Sequence, residues 1–194
     1  GRQTRIGAGD PGFSAGGFLN GESQTERGFW RCWLAGLMLF AVMIALNPSI
    51  SNSVAPMGIS DHQAAATAAR VDAIQSAWRA DGVLWLARLS MAIDLVFIGL
   101  YSRGAWLGGK MMRGENGQGL GRLGGAIMVA ALLFCITDYV ETVSQFIQIM
   151  QYRGSDMLAG LAATVRPVKT IAFITTFVGL LAALLLRRMA RRGA

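Results

Sequence analysis

Four blocks of apolar residues, each near bilayer length and almost free of charge, constrain this chain more than any other feature. They cover residues 29–46, 83–107, 123–150 and 167–186. At 1.5 Å rise per residue, about 20 apolar residues suffice to cross the hydrocarbon of a bilayer. The expected fold is therefore all-α, an integral membrane four-helix bundle. The first block stops at Asn47-Pro48, where proline cannot continue a helix, and Pro167 suits the first turn of the fourth. Composition agrees: 53% of the 194 residues are hydrophobic and 15% charged, against about 25% charged in average soluble domains.

The remaining segments complete the layout. Residues 1–28 are rich in Gly and Ser and read as a flexible tail, because such a stretch buries too little apolar surface to offset its ordering entropy. Residues 188–194 form a short basic C-terminal tail. Between the first two blocks, Ser60 and Gln63 have capping-box spacing. An outer amphipathic helix over about residues 61–80 follows, with Thr67, Val71, Ile74 and Trp78 on one face and Gly82 as its stop. It reads as a helix on the bundle or membrane surface, or as a lid over the outward mouth.

A net charge of +7 would point to nucleic acid in a soluble chain. Here no basic stripe is interleaved with exposed aromatics, and no nucleic-acid role is expected. Twelve of the eighteen basic residues flank one side of the blocks: Arg2, Arg5, Arg27, Arg31, Arg103, Lys110, Arg113, Arg122, Arg187, Arg188, Arg191 and Arg192. The positive-inside rule then puts both termini in the cytoplasm, as for a multi-pass protein of a bacterial inner membrane. Trp30, Trp33, Trp85 and Trp106 lie near block ends, where interfacial anchors belong.

Charge inside the blocks is the sharpest functional signal. Asp94 lies mid-block in the second, Asp138 and Glu141 in the third, and Arg88 and Lys169 near the outer ends of the second and fourth. Helix rise puts Asp94 roughly 15 Å below its outer end, and Asp138 and Glu141 roughly 18 and 14 Å below theirs. Isolated ions at such depths cost several kcal/mol, so the five are expected to meet in one network. Asp138, Glu141, Gln145, Gln148 and Tyr152 recur at spacings of three and four, hence on one helix face, with Val140, Val143, Phe146 and Ile147 opposite. Ser90, Asp94 and Tyr101 share a face of the second helix. Such a stripe points into the bundle, into water or at another subunit.

Two roles compete for the network. It is either an ionic lock fixing helix register, or a proton or cation site serving a transporter or membrane enzyme. Other chemistry has little to work with. His62 is the single histidine and reads as a solvated first-turn residue, so no haem pair or zinc set is expected. Cys32 and Cys135 lie at different depths and predict no disulfide. Gly119, Gly121 and Gly124 spell GxGxxG without the βαβ context that motif needs. Gly104 with Gly108, and Gly121 with Gly125, have the small-xxx-small spacing of close helix packing.

Arg88-Leu89, Asp94 to Phe97 with Tyr101, Thr137 to Glu141, and Val168-Lys169 together resemble an uncharacterised family of bacterial four-helix membrane proteins. That family carries Asp then Phe and Tyr in its second helix, Asp-x-x-Glu-Asn in its third and Lys at the start of its fourth. The resemblance covers about residues 30–187 and departs at Thr142, where the family has Asn. It implies that the charges belong together and carries no activity with it. The expected function is a non-enzymatic accessory or scaffold subunit of a larger membrane assembly, with an energy-converting complex as one candidate host. The expected contacts are lipids and other membrane subunits, with no cofactor or metal. The alternative is a small proton-coupled transporter or membrane enzyme built on the carboxylates.

Overall fold

The computed structural model describes residues 15–115 and 118–192, and among them the chain is helical with no strand. Helix α1 spans Ala15–Leu46, α2 Ile59–Ala64, α3 Ala68–Ala80, α4 Leu84–Arg113, α5 Gln118–Gln151 and α6 Asp156–Arg192. Four of them, α1, α4, α5 and α6, are long and apolar enough to cross a membrane. They pack in chain order, α1 on α4, α4 on α5 and α5 on α6. The ring closes between α1 and α6 chiefly through side chains: Phe40 on Phe173, Trp33 on Phe177 and Arg187 on Glu26. One end of the bundle is covered by α2 and α3; the other carries Arg27, Arg31, Arg103, Lys110, Arg113, Arg122, Arg187 and Arg188. They are called here the capped and basic ends.

Helix boundaries depart from expectation where a helix continues past its apolar block. Residues 15–28 of the expected tail belong to α1; residues 1–14 lie outside the described residues. Once the apolar turns nucleate a helix, each added residue gains a backbone hydrogen bond at little further cost, so α1 grows back through polar sequence. The basic segment 188–192 is likewise part of α6. That helix also starts earlier than Pro167, at Asp156, where the Ser155 hydroxyl accepts from Leu158 N as an N-cap. Pro167 is an internal residue.

The expected outer helix is two helices. Thr67 interrupts the alanine run by capping α3 itself, its hydroxyl accepting from Arg70 N. Ser60 and Gln63 form no capping box: the N-cap of α2 is Gly58, with no side-chain cap. Trp78 anchors the cap by donating its indole N–H to Ile50 O at 2.6 Å, and it is fully buried with Val71 and Ile74. His62 is fully buried too, against Trp78, and Gln75 Nε2 lies 3.2 Å from its Nε2. The expectation of a solvated histidine is thus wrong. Its neighbours come from α3, a separate helix, so nothing local announced the burial. Burial pushes its pKa down to about 4 and keeps the ring neutral.

Close packing dominates the basic half. A Cβ on Gly104 would stand 2.7 Å from Trp33 N, so only glycine lets α1 and α4 approach this far. Gly109 and Gly124 similarly face each other between α4 and α5, a Cβ on Gly109 reaching 2.7 Å from Gly124 O. Gly108 meets Phe29 and Leu180, whereas Gly121 and Gly125 face open space and pack nothing. Trp33 corrects another expectation: it is 4% exposed and stacks on Phe29, a core residue rather than an interfacial anchor. Trp30, Trp85 and Trp106 are exposed.

Candidate functional site: a charged cluster under a cap

Lys169, on α6, is the hub. Its Nζ lies 2.9 Å from Asp138 Oδ1 and 2.7 Å from Glu141 Oε1, both on α5. The three-residue spacing of the two acids puts them on one helix face, so a single ammonium reaches both. Asp94 joins from α4 through Thr142, whose hydroxyl is 2.9 Å from Asp94 Oδ2 and 3.3 Å from Asp138 Oδ1. Gln63 Nε2, on α2, donates to the same Asp94 oxygen at 3.3 Å. Asp138, Glu141 and Thr142 are at most 1% exposed, and Asp94 is 8% exposed. Four helices thus meet in one polar knot, with Thr142 as its bridge.

Arg88 is not part of it. Six residues before Asp94, it stands about 120° away around the helix, and its Nε donates to Ile149 O at 3.2 Å. That carbonyl belongs to the last turn of α5, where carbonyls lack helical partners and a cation is favoured. The expected five-residue network is therefore four residues, and three carboxylates face one ammonium. The polar stripe divides as well. Gln148 Nε2 donates to Gln145 Oε1, and its Oε1 accepts from Ser155 N, which fastens the α5–α6 turn. Tyr152 ends α5 with a φ of 54° and lies beneath the Arg79 guanidinium, 4.8 Å from ring centre, at the cap. Tyr101 shares a face with Asp94 but lies deeper, its hydroxyl 2.9 Å from Thr176 Oγ1.

Between the carboxylates and Tyr101 lies a layer that periodicity did not single out. Phe40, Phe97, Phe134 and Phe173, one from each long helix, touch in a closed ring with centroid separations of 5.5, 6.1, 5.6 and 5.6 Å. Every apolar block holds at least one phenylalanine, but which of them align in depth appears only in the folded bundle.

Above this ring a cavity of about 590 Å³ extends up to α2. The phenylalanines and Met43 form its apolar wall, and Ser90, Asp94, Asp138 and Lys169 its polar one. The roof is held by Asn47, which donates to Met57 O and accepts from Ile59 N, and by Arg166, whose guanidinium holds both the carbonyl and the hydroxyl of Ser60. At the basic end a second ionic group ties Arg187 of α6 to Glu26 of α1 at 2.9 Å and to Glu115 beyond α4. Cys32 and Cys135 are free thiols. Among the described residues no three His, Cys, Asp or Glu side chains are grouped to hold a metal ion.

No family model, curated protein or solved structure matches the chain. The functional reading therefore rests on this geometry.

Proposed function

We propose that this chain is a multi-pass protein of a bacterial inner membrane, with both termini cytoplasmic. In this reading it serves as a non-enzymatic accessory or scaffold subunit of a larger membrane assembly. Among the described residues, Arg27, Arg31, Arg103, Lys110, Arg113, Arg122, Arg187 and Arg188 lie toward the basic end, the side that the positive-inside rule assigns to the cytoplasm. One observation carries the functional part: Lys169 with Asp138 and Glu141 ties the capped half of the bundle, Arg187 with Glu26 and Glu115 ties the basic end, and the phenylalanine ring lies between them. Charges so placed tie helices together, and among the described residues these two ionic groups do not join into one route from end to end, which favours a structural role over transport.

Gentle-detergent purification of the full chain from its native membrane, with identification of co-purifying subunits, tests the reading. Asp138→Asn is the companion variant. A subunit held by an ionic lock loses folding or assembly when Lys169 loses that partner. Recovery of the wild-type chain alone, with Asp138→Asn equally stable, refutes the proposal.

A second reading, a proton-coupled transporter or membrane enzyme, is favoured by the position of Asp94 on the cavity wall. Under it, Asp138→Asn inserts and assembles normally but abolishes a proton-dependent activity.

A further inference from the structure

The cavity beneath α2 has features that a lock does not require. Its volume, about 590 Å³, lies within the 300–1,000 Å³ of small-molecule sites, which combine apolar walls with a few convergent polar groups. Ser90 is 2% exposed and lines it, yet its hydroxyl has no hydrogen-bond partner among the described residues. Asp94, also on the wall, receives Thr142 and Gln63 on Oδ2 only. Both residues line the cavity, so the Ser90 hydroxyl and Asp94 Oδ1 are poised for something entering it.

The charge of that occupant follows from the groups around it. Asp94, Asp138 and Glu141 are opposed by Lys169, whose ammonium is already held between the last two. Neither Arg166 nor Arg88 lines the cavity: Arg166 holds Ser60 at the roof and Arg88 a carbonyl of α5. Of the residues that line the cavity, Asp94 and Asp138 are acidic and Lys169 is basic, so with all three ionised the wall carries one net negative charge. Beside the carboxylates stand the rings of Phe40, Phe97 and Phe173, and aromatic faces attract a desolvated cation. An anion would meet the carboxylates directly, and a neutral oil would leave the charge unanswered. Access fits an apolar body as well, because α1 and α6 meet chiefly through side chains and both contribute to the cavity wall.

We propose that this cavity binds a lipophilic monocation, with the positive centre against Asp94 and Ser90 and the apolar body against the phenylalanines and Met43. The site is independent of the accessory-subunit role and can stand if that role fails.

The test uses the purified full chain in a neutral detergent and a pair of probes alike in shape but opposite in charge, tetraphenylphosphonium and tetraphenylborate, measured by equilibrium dialysis. Saturable binding of one tetraphenylphosphonium per chain is expected, with tetraphenylborate showing only the non-saturable uptake of empty micelles. Asp94→Asn is expected to weaken the cation at least tenfold. Met43→Trp, which narrows the cavity from α1 and leaves every charge in place, is expected to weaken it similarly, so the test stands even if Asp94→Asn fails to fold. Equal binding of the two probes overturns the proposal. So does cation binding that neither variant changes, or the absence of saturable binding in a wild-type chain of native helix content.

Discussion

The two halves of the bundle use the same four helices and are held together in different ways. In the basic half, glycines at 104, 109 and 124 bring backbones together, and Phe29 and Trp33 are buried beside them. Its cohesion is contact between apolar surfaces, with Arg187 as an ionic strap at the rim. In the capped half the helices stand far enough apart to leave a cavity, and the ties are polar: Lys169 to two acids, Thr142 to a third, Gln63 down from the cap. The phenylalanine ring marks the boundary. The difference teaches that length and hydropathy do not determine whether a long apolar helix packs solidly or leaves a chamber. Side-chain size at a few facing positions does.

The comparison can be broken most forcefully at its hub. Lys169→Met leaves Asp138 and Glu141 buried without their cation, and removing one partner of such a cluster costs about 3–5 kcal/mol. The expected outcome is a chain that accumulates poorly or melts far below wild type in detergent, and a variant of unchanged thermal midpoint would show the cluster to be dispensable.

Acid should probe the cap next. The buried neutral ring of His62 has its pKa lowered to about 4, while the unfolded chain protonates near pH 6.5. Between those values the unfolded state binds the extra proton, so stability is full above about pH 6.5 and is lost as pH falls toward 4. The total is about 3 kcal/mol. Amide hydrogen exchange over residues 59–80 should accelerate across that window in the wild type, and His62→Leu should flatten the response. An identical pH dependence in both chains would mean that other groups control the cap.

Gly104→Ala sharpens the contrast from the packed side. Its methyl would stand against the backbone of Trp33, and overpacking of this kind costs about 1–3 kcal/mol. The same change at Gly125, where a Cβ meets nothing, should leave the thermal midpoint almost unmoved. If the two substitutions behave alike, close approach is not what holds that half. The smallest effect is expected of Thr142→Val, which removes one hydroxyl bridge and costs about 1 kcal/mol in denaturant unfolding. A markedly larger loss would make Thr142 the organiser of the cluster rather than its connector.

Much of this architecture was legible in residue order. The four long apolar helices, the stop of α1 at Asn47-Pro48 and the shared face of Asp138 and Glu141 all follow from hydropathy, proline chemistry and helical period. Each of these acts within a few residues of chain. Where a segment lacked such a signal, reading failed in an intelligible way. Residues 15–28 looked too polar and glycine-rich for a helix, yet they extend one already nucleated. Ser60 and Gln63 looked like a local capping box, but each found a distant partner, Arg166 and Asp94 respectively.

Sequence alone therefore determined that the chain would form long apolar helices carrying a few buried charges, because backbone hydrogen bonding and the cost of ions in hydrocarbon act at every position independently of fold. Only the tertiary structure decided which charges meet. It turned Arg88 away to a carbonyl, buried His62 under Trp78, aligned one phenylalanine from each helix, and left a chamber beside Asp94. Those outcomes depend on the rotation and depth of one helix relative to another. Those relations are set by which side chains fit together across the bundle, and residues far apart in the chain do not announce them.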